Sequence, residues 1–146
     1  MYTKQEISRQ KQVFWTAFGK YMKPVLSADG EAISWLNYKT GKKSIHFRMD
    51  VDSRRAVVAV VMDDRSFFDQ FKQLSRIFEE TLEEDNWVWK QDDIDEHGRS
   101  ISTILKQLSD VNIFRSEDWP AIISFLKPRI IALDAFWCMA RYQFPS

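Results

Sequence analysis

Ile45, Phe47, Met49 and Val51 alternate strictly with His46, Arg48, Asp50 and Asp52, and no other feature restricts the fold as much. Successive side chains of a strand point to opposite faces, so this segment reads as a strand with one apolar and one polar face. The run Ala56 to Met62 that follows is continuously apolar and rich in β-branched residues. It reads as a strand buried on both faces, with cover expected on both sides of the sheet. Upstream, Ile33 and Trp35 alternate with Ser34 and Leu36 after the turn residues Ser27-Ala28-Asp29-Gly30. This predicts an earlier strand, joined through a hairpin loop Lys39-Thr40-Gly41-Lys42-Lys43. Placing Tyr38 opposite Ser44 sets Trp35 against Phe47 and Ile33 against Met49, a register that gathers the apolar groups on one side.

Helical spacing frames these strands. Thr3 and Glu6 have capping-box spacing, and Ile7, Phe14, Phe18, Tyr21 and Met22 recur at helical intervals up to Pro24, predicting a helix over about 4–22. Asp63, Asp64 and Ser66 offer caps for a second helix with the stripe Phe67, Phe71, Leu74, Phe78 and Leu82, ending near Glu83-Glu84-Asp85. Trp87, Trp89 and Ile94 read as a strand leading into the turn Asp95-Glu96-His97-Gly98. Residues 99–108 fit both periodicities, and the preceding turn favours a strand. Ser116 opens a last helix with Pro120 in its first turn, and Pro128 predicts a kink or a split within it. The order α-β-β-β-α-β-β-α gives an α+β fold of a single domain over 1–146. About five strands form a largely antiparallel or mixed sheet covered by helices.

A chain of 146 residues with 45% apolar content is long enough to bury a core without staples. Four Gly and four Pro against 29% charged residues exclude collagen-like and linker-like chains. The net charge of zero conceals an uneven distribution. Residues 1–62 hold 11 basic and 5 acidic side chains, a surplus of six positive charges, and residues 63–146 hold 10 and 16, a surplus of six negative ones. No apolar run approaches the roughly 20 residues that span a bilayer, and the N-terminus has no apolar signal core. A cytoplasmic location without membrane contact is expected. The single cysteine, Cys138, stands beside Phe136, Trp137, Met139 and Ala140, which predicts a buried thiol in a reducing compartment.

Most chemical motifs are incomplete. A phosphate loop at Gly41-Lys42-Lys43-Ser44 would need Gly where Leu36 stands, and Lys43 takes the place of its Ser or Thr. A calcium loop from Asp93 would need a bidentate Glu where Ile104 stands. Zinc and serine-hydrolase patterns lack their minimal parts. Two constellations remain. Asp50 and Asp52 share a strand face, with Asp63 and Asp64 at the end of the next strand. That set could hold Mg²⁺ with a substrate phosphate, or form a solvated strand end paired with Arg48, Arg54 and Arg55. The second is a basic hairpin of Lys39, Lys42, Lys43, His46, Arg48, Arg54 and Arg55, with Tyr38 and Leu36 on the same face. Such a surface suits a phosphate backbone with a stacked base, although a pI of 6.7 is not that of a strongly basic domain.

The reading that follows is a non-catalytic binding or accessory module, without cofactor, whose basic hairpin engages another copy, another protein or nucleic acid. The alternative is a divergent Mg²⁺-dependent nuclease using Asp50, Asp52 and Asp63, with Asp50 and Asp52 as metal ligands. A third possibility is a homodimer built on surface aromatics such as Trp15 and Trp87 or Trp89 and on the last helix.

The strings from Phe14 to Pro24, Trp35 to Gly41, Phe47 to Asp50 and Glu117 to Ile130 resemble a bacterial family known as domain of unknown function 4268. The resemblance implies a bacterial intracellular protein and brings no activity with it. Some relatives are longer chains in which this domain follows a nuclease-like region, which implies a nucleic-acid context. Separately, the order α-β-β-β-α-β resembles the restriction-endonuclease-like core, whose members carry an acid on the second strand and Asp/Glu-x-Lys on the third. Asp50 or Asp52 would supply the first acid. Ala56 to Met62 contains neither a third-strand acid nor a Lys, so the resemblance implies a lost catalytic centre.

Overall fold

The computed structural model describes residues 2–144. Its first helix, α1, is Lys4–Met22, and the Thr3 hydroxyl accepts from the Glu6 amide at 3.1 Å as the capping spacing requires. Phe14, Phe18 and Met22 are its buried residues. The chain then runs through a long loop to strand β1 (Ile45–Val51) and strand β2 (Arg55–Met62). Helices α2 (Arg65–Gln73) and α3 (Ser75–Leu82) follow, then β3 (Val88–Ile94), β4 (Ser100–Ser109), a 3-10 turn at Ser116–Asp118 and helix α4 (Trp119–Ala140). A second 3-10 turn covers Arg141–Gln143.

The four strands form an antiparallel sheet in the order β1-β2-β4-β3. The α+β class is as expected, and the strand count is one lower. The segment Ile33 to Leu36 is not a strand, and Lys39 to Lys43 is not a hairpin loop. Local bonds take the groups that a sheet edge would have used. The Trp35 indole donates to the Val25 carbonyl at 2.9 Å, the Ser34 hydroxyl accepts from the Asn37 amide, and the Thr40 hydroxyl donates to the carbonyl of Ile45 at 2.8 Å. Phe47 accordingly pairs with Val60 and not with Trp35. The true hairpin is β1–β2, closed where Asp52 Oδ1 accepts from the amides of Arg54 and Arg55.

The expected second helix is two helices, broken at Leu74, whose φ/ψ of −99°/12° lies outside the helical region. Helix α3 ends on Glu83 in the left-handed conformation, φ 57°. Residues 100–109 are the expected strand. Helix α4 is continuous through Pro128, so of the expected kink or split the split does not occur. The carbonyl of Phe125, beside the interrupted ladder, accepts from the Arg129 guanidinium at 2.9 Å.

One face of the sheet carries the core. Ile45, Phe47 and Val51 of β1, Ala56, Val58, Val60 and Met62 of β2 and Ile104 of β4 pack with the helices in one apolar cluster. Aromatic side chains dominate it. Phe71 stacks on Trp137, Phe78 meets Phe136 edge-on, and the Trp137 indole donates to the Thr40 carbonyl at 2.7 Å. Truncating a fully buried Trp of this kind costs about 3–5 kcal/mol. Strand β2 is buried on both faces as expected, but the second face has no helical cover. Ala59 and Val61, 8% and 9% exposed, lie outside the core cluster, because side chains of the adjacent strands rather than a second helical layer surround them.

Candidate functional site

The outer sheet face is built from rows that the register defines. His46, Val61, Thr103 and Lys90 form one row, Arg48, Ala59, Leu105 and Val88 the next, and Asp50, Val57 and Gln107 the third. His46, Arg48 and Lys90 are exposed, and Val88 is 46% exposed. Ala59 and Val61 are buried among these side chains, so the accessible apolar groups of the face are Val88 and the half-buried Leu105, with Arg48, Lys90 and an imidazole nearby. At its margin Asp50 pairs with Lys11 at 3.3 Å, and Arg55 donates to Gln107 at 2.8 Å. Arg48 and Lys90 make no ion pair among the described residues.

The acidic part of the chain does not neutralise this face. Glu84 holds Arg129 at 2.9 Å and Lys106 at 3.4 Å, Glu80 holds Arg76, and Asp95 holds Arg99. Burial alone would raise the carboxyl pKa of Glu84. The Arg129 and Lys106 charges outweigh it and hold the group below its ordinary 4.5.

The remaining basic residues disperse. Arg54 and Arg55 flank the β1–β2 turn, where Arg55 lies 4.0 Å from Asp52. Lys42 donates to the Phe144 carbonyl at 3.3 Å, and Lys39 and Lys43 are exposed on the long loop. Tyr38 is not beside His46 and Arg48. It stacks on Phe47 of the core face at 4.9 Å, so the aromatic platform expected on the basic surface is absent from it. The carboxylate set fares similarly. Asp63 follows Met62, which pairs with Ile45, whereas Asp50 pairs with Val57 and Asp52 closes the opposite turn. A strand length of roughly 20 Å separates Asp63 from the other two, which is too far for one Mg²⁺ site. Among the described residues no group of three or more His, Cys, Asp or Glu is placed to hold a metal ion.

A second site lies where the long loop meets the end of α4. A cavity of about 500 Å³ is lined by Asp29, Glu31, Tyr38, Lys39, Asp134, Cys138 and Arg141, with Ile33 and small polar residues. Asp134 is 2% exposed. One of its oxygens accepts from the Ala28 amide at 2.8 Å and the other from the Tyr38 hydroxyl at 2.5 Å. Burial and the carboxylate at Asp134 push the Tyr38 hydroxyl far above its ordinary pKa. The Cys138 thiol faces Asp29 at 3.4 Å and Asp134 at 3.6 Å and is partly accessible, not fully buried as its neighbours suggested. Desolvation and Asp134 push it up to about 11, which leaves it a thiol at neutral pH and a poor nucleophile. Arg141 sits 3.6 Å from Asp29 and also stacks over Tyr142.

The sequence reasoning passed over Asp134 and Asp29. The signal was present in Ile130-Ile131-Ala132-Leu133-Asp134-Ala135-Phe136-Trp137, a single carboxylate on an otherwise apolar stretch of helix.

Residues 10–140 match a family described as Domain of unknown function (DUF4268), and that span covers most of the chain. The chain belongs to this DUF4268 family. No curated protein and no solved structure matches it. No helix among the described residues of this DUF4268 chain is long and apolar enough to cross a membrane.

Proposed function

We propose that this DUF4268 chain is a non-catalytic binding module whose outer sheet face docks on an acidic protein surface. The observation that carries the reading is that Arg48 and Lys90, without an ion pair among the described residues, flank the exposed Val88 and the half-buried Leu105. An apolar centre with a polar rim is the anatomy of a protein interface. Opposite charge on the partner would speed encounter and fix orientation. With Tyr38 stacked on Phe47 of the core side, no Phe, Tyr or Trp among the described residues of the sheet rows is placed on this face to stack a base, so nucleic acid fits it less well.

The test compares the wild-type chain with an Arg48→Glu, Lys90→Glu double variant on immobilised poly-glutamate, single-stranded DNA and duplex DNA. Retention on poly-glutamate that falls with salt and disappears in the double variant is the expected result. Equal retention of both proteins, or none of either, overturns the reading. Stronger retention on DNA replaces the acidic protein with nucleic acid. Light scattering of the wild-type chain distinguishes self-association from capture of a different protein.

A further inference from the structure

The cavity between the long loop and α4 holds Asp134, the one buried ionisable side chain among the described residues. Asp134 is almost completely buried, yet its donors, the Ala28 amide, the Tyr38 hydroxyl and the Cys138 thiol, are all uncharged. Among the partly sheltered carboxylates Glu84 has Arg129 and Lys106, Asp95 has Arg99 and Asp118 has Arg115, and those without a cation, Asp64, Glu79 and Asp93, are less buried than Asp134. A carboxylate removed from water without a counter-charge is expensive to maintain. Glu31 on the cavity wall has no ion-pair partner among the described residues either, and Arg141 is committed to Asp29 and Tyr142. Lys39 remains at the exposed margin.

We infer that this cavity binds a small organic molecule through a primary amine, whose ammonium group completes Asp134 and Glu31. The volume, about 500 Å³, lies in the range of small-molecule sites, and Ile33 gives the carbon portion of a ligand an apolar wall. Ser27, Ser34 and Asn37 supply further oxygens that accept from the ammonium hydrogens. The inference uses a different surface from the outer sheet face and does not depend on it.

The probes are benzylamine, benzyl alcohol and benzoate, which share a ring and differ in the charge of the head group. Titration of the full chain followed by amide NMR should shift Ala28, Tyr38 and Cys138 with benzylamine. It should show about tenfold weaker binding of the alcohol, the difference between a charge-assisted and a neutral hydrogen bond, and no binding of benzoate. Bound benzylamine should also slow maleimide labelling of Cys138. Glu31→Gln, at an exposed position that leaves the fold intact, should weaken benzylamine several-fold, and Asp134→Asn should abolish its binding. Equal binding of amine and alcohol, preference for benzoate, or no shifts at the cavity would each overturn the inference. An unfolded Asp134→Asn protein would leave the decision to the probe series and Glu31→Gln.

Discussion

Tyr38 and Asp134 are 96 residues apart, and a 2.5 Å hydrogen bond joins them. Tyr38→Phe keeps the ring on Phe47 and removes the donor. Hydrogen bonds to charged groups contribute about 1.5–3 kcal/mol, and the carboxylate left behind is buried. A loss of about 2 kcal/mol in urea unfolding is expected, and an unchanged midpoint would show that water replaces the hydroxyl there. Cys138 gives a second prediction. With its pKa pushed up to about 11, maleimide labelling in the native protein should be slow at pH 7 and rise tenfold per pH unit through pH 9. Labelling at the rate of a free peptide thiol would show that Asp29 and Asp134 do not act on it. Neither group was legible as a pair in the sequence, because periodicity reports which face a residue occupies and says nothing of which distant loop meets it. Asp134 was visible only as an exception within an apolar stripe.

Elements with strong local signals were legible. The capping box of α1, the alternation of β1, the apolar run of β2 and the Asp95–Gly98 turn all form where the chain predicts them. The failure at Ile33 to Leu36 has a physical cause, since four residues of alternation cannot distinguish a strand from an irregular loop that buries one large side chain. Trp35 is that side chain, 3% exposed and anchored to Val25. The basic hairpin failed with it, because its assembly assumed that the missing strand lay beside β1. Helix α4 offers an element-scale prediction. Pro128 is exposed and denies the Ser124 carbonyl its helical donor. Pro128→Ala should stabilise the protein by about 2 kcal/mol, the helix-interior penalty of Pro reduced by the freedom the unfolded chain regains. Destabilisation in thermal unfolding would mean that the core is fitted to a Pro-bent helix.

At the scale of the whole molecule, acid stability should depend on Glu84 between Arg129 and Lys106. Its folded pKa lies below its unfolded value, so its contribution is complete above about pH 4.5 and disappears as pH falls through the lower, folded value. Arg129→Met should therefore weaken the protein near neutrality and narrow that gap at low pH. If the two proteins lose stability in parallel from pH 5 to pH 3, the pairing contributes nothing to the acid limb. The charge surplus of the first 62 residues and the deficit of the rest were legible from composition, but which charges pair was not. Arg76 and Arg99 pair within the acidic part itself, with Glu80 and Asp95, and Arg48 and Lys90 make no ion pair among the described residues.

An antiparallel sheet of four strands has two open rims, and each is a template on which a foreign chain can grow. Here both rims are defended. Along β1 the Thr40 hydroxyl occupies the Ile45 carbonyl, and along β3 the register breaks between Lys90 and Asp93, where Asp92 turns to φ 60°. Irregularity at β3 and a borrowed hydroxyl at β1 stop edge-to-edge stacking, so the same sheet can leave one broad face to solvent without its rims seeding fibrils.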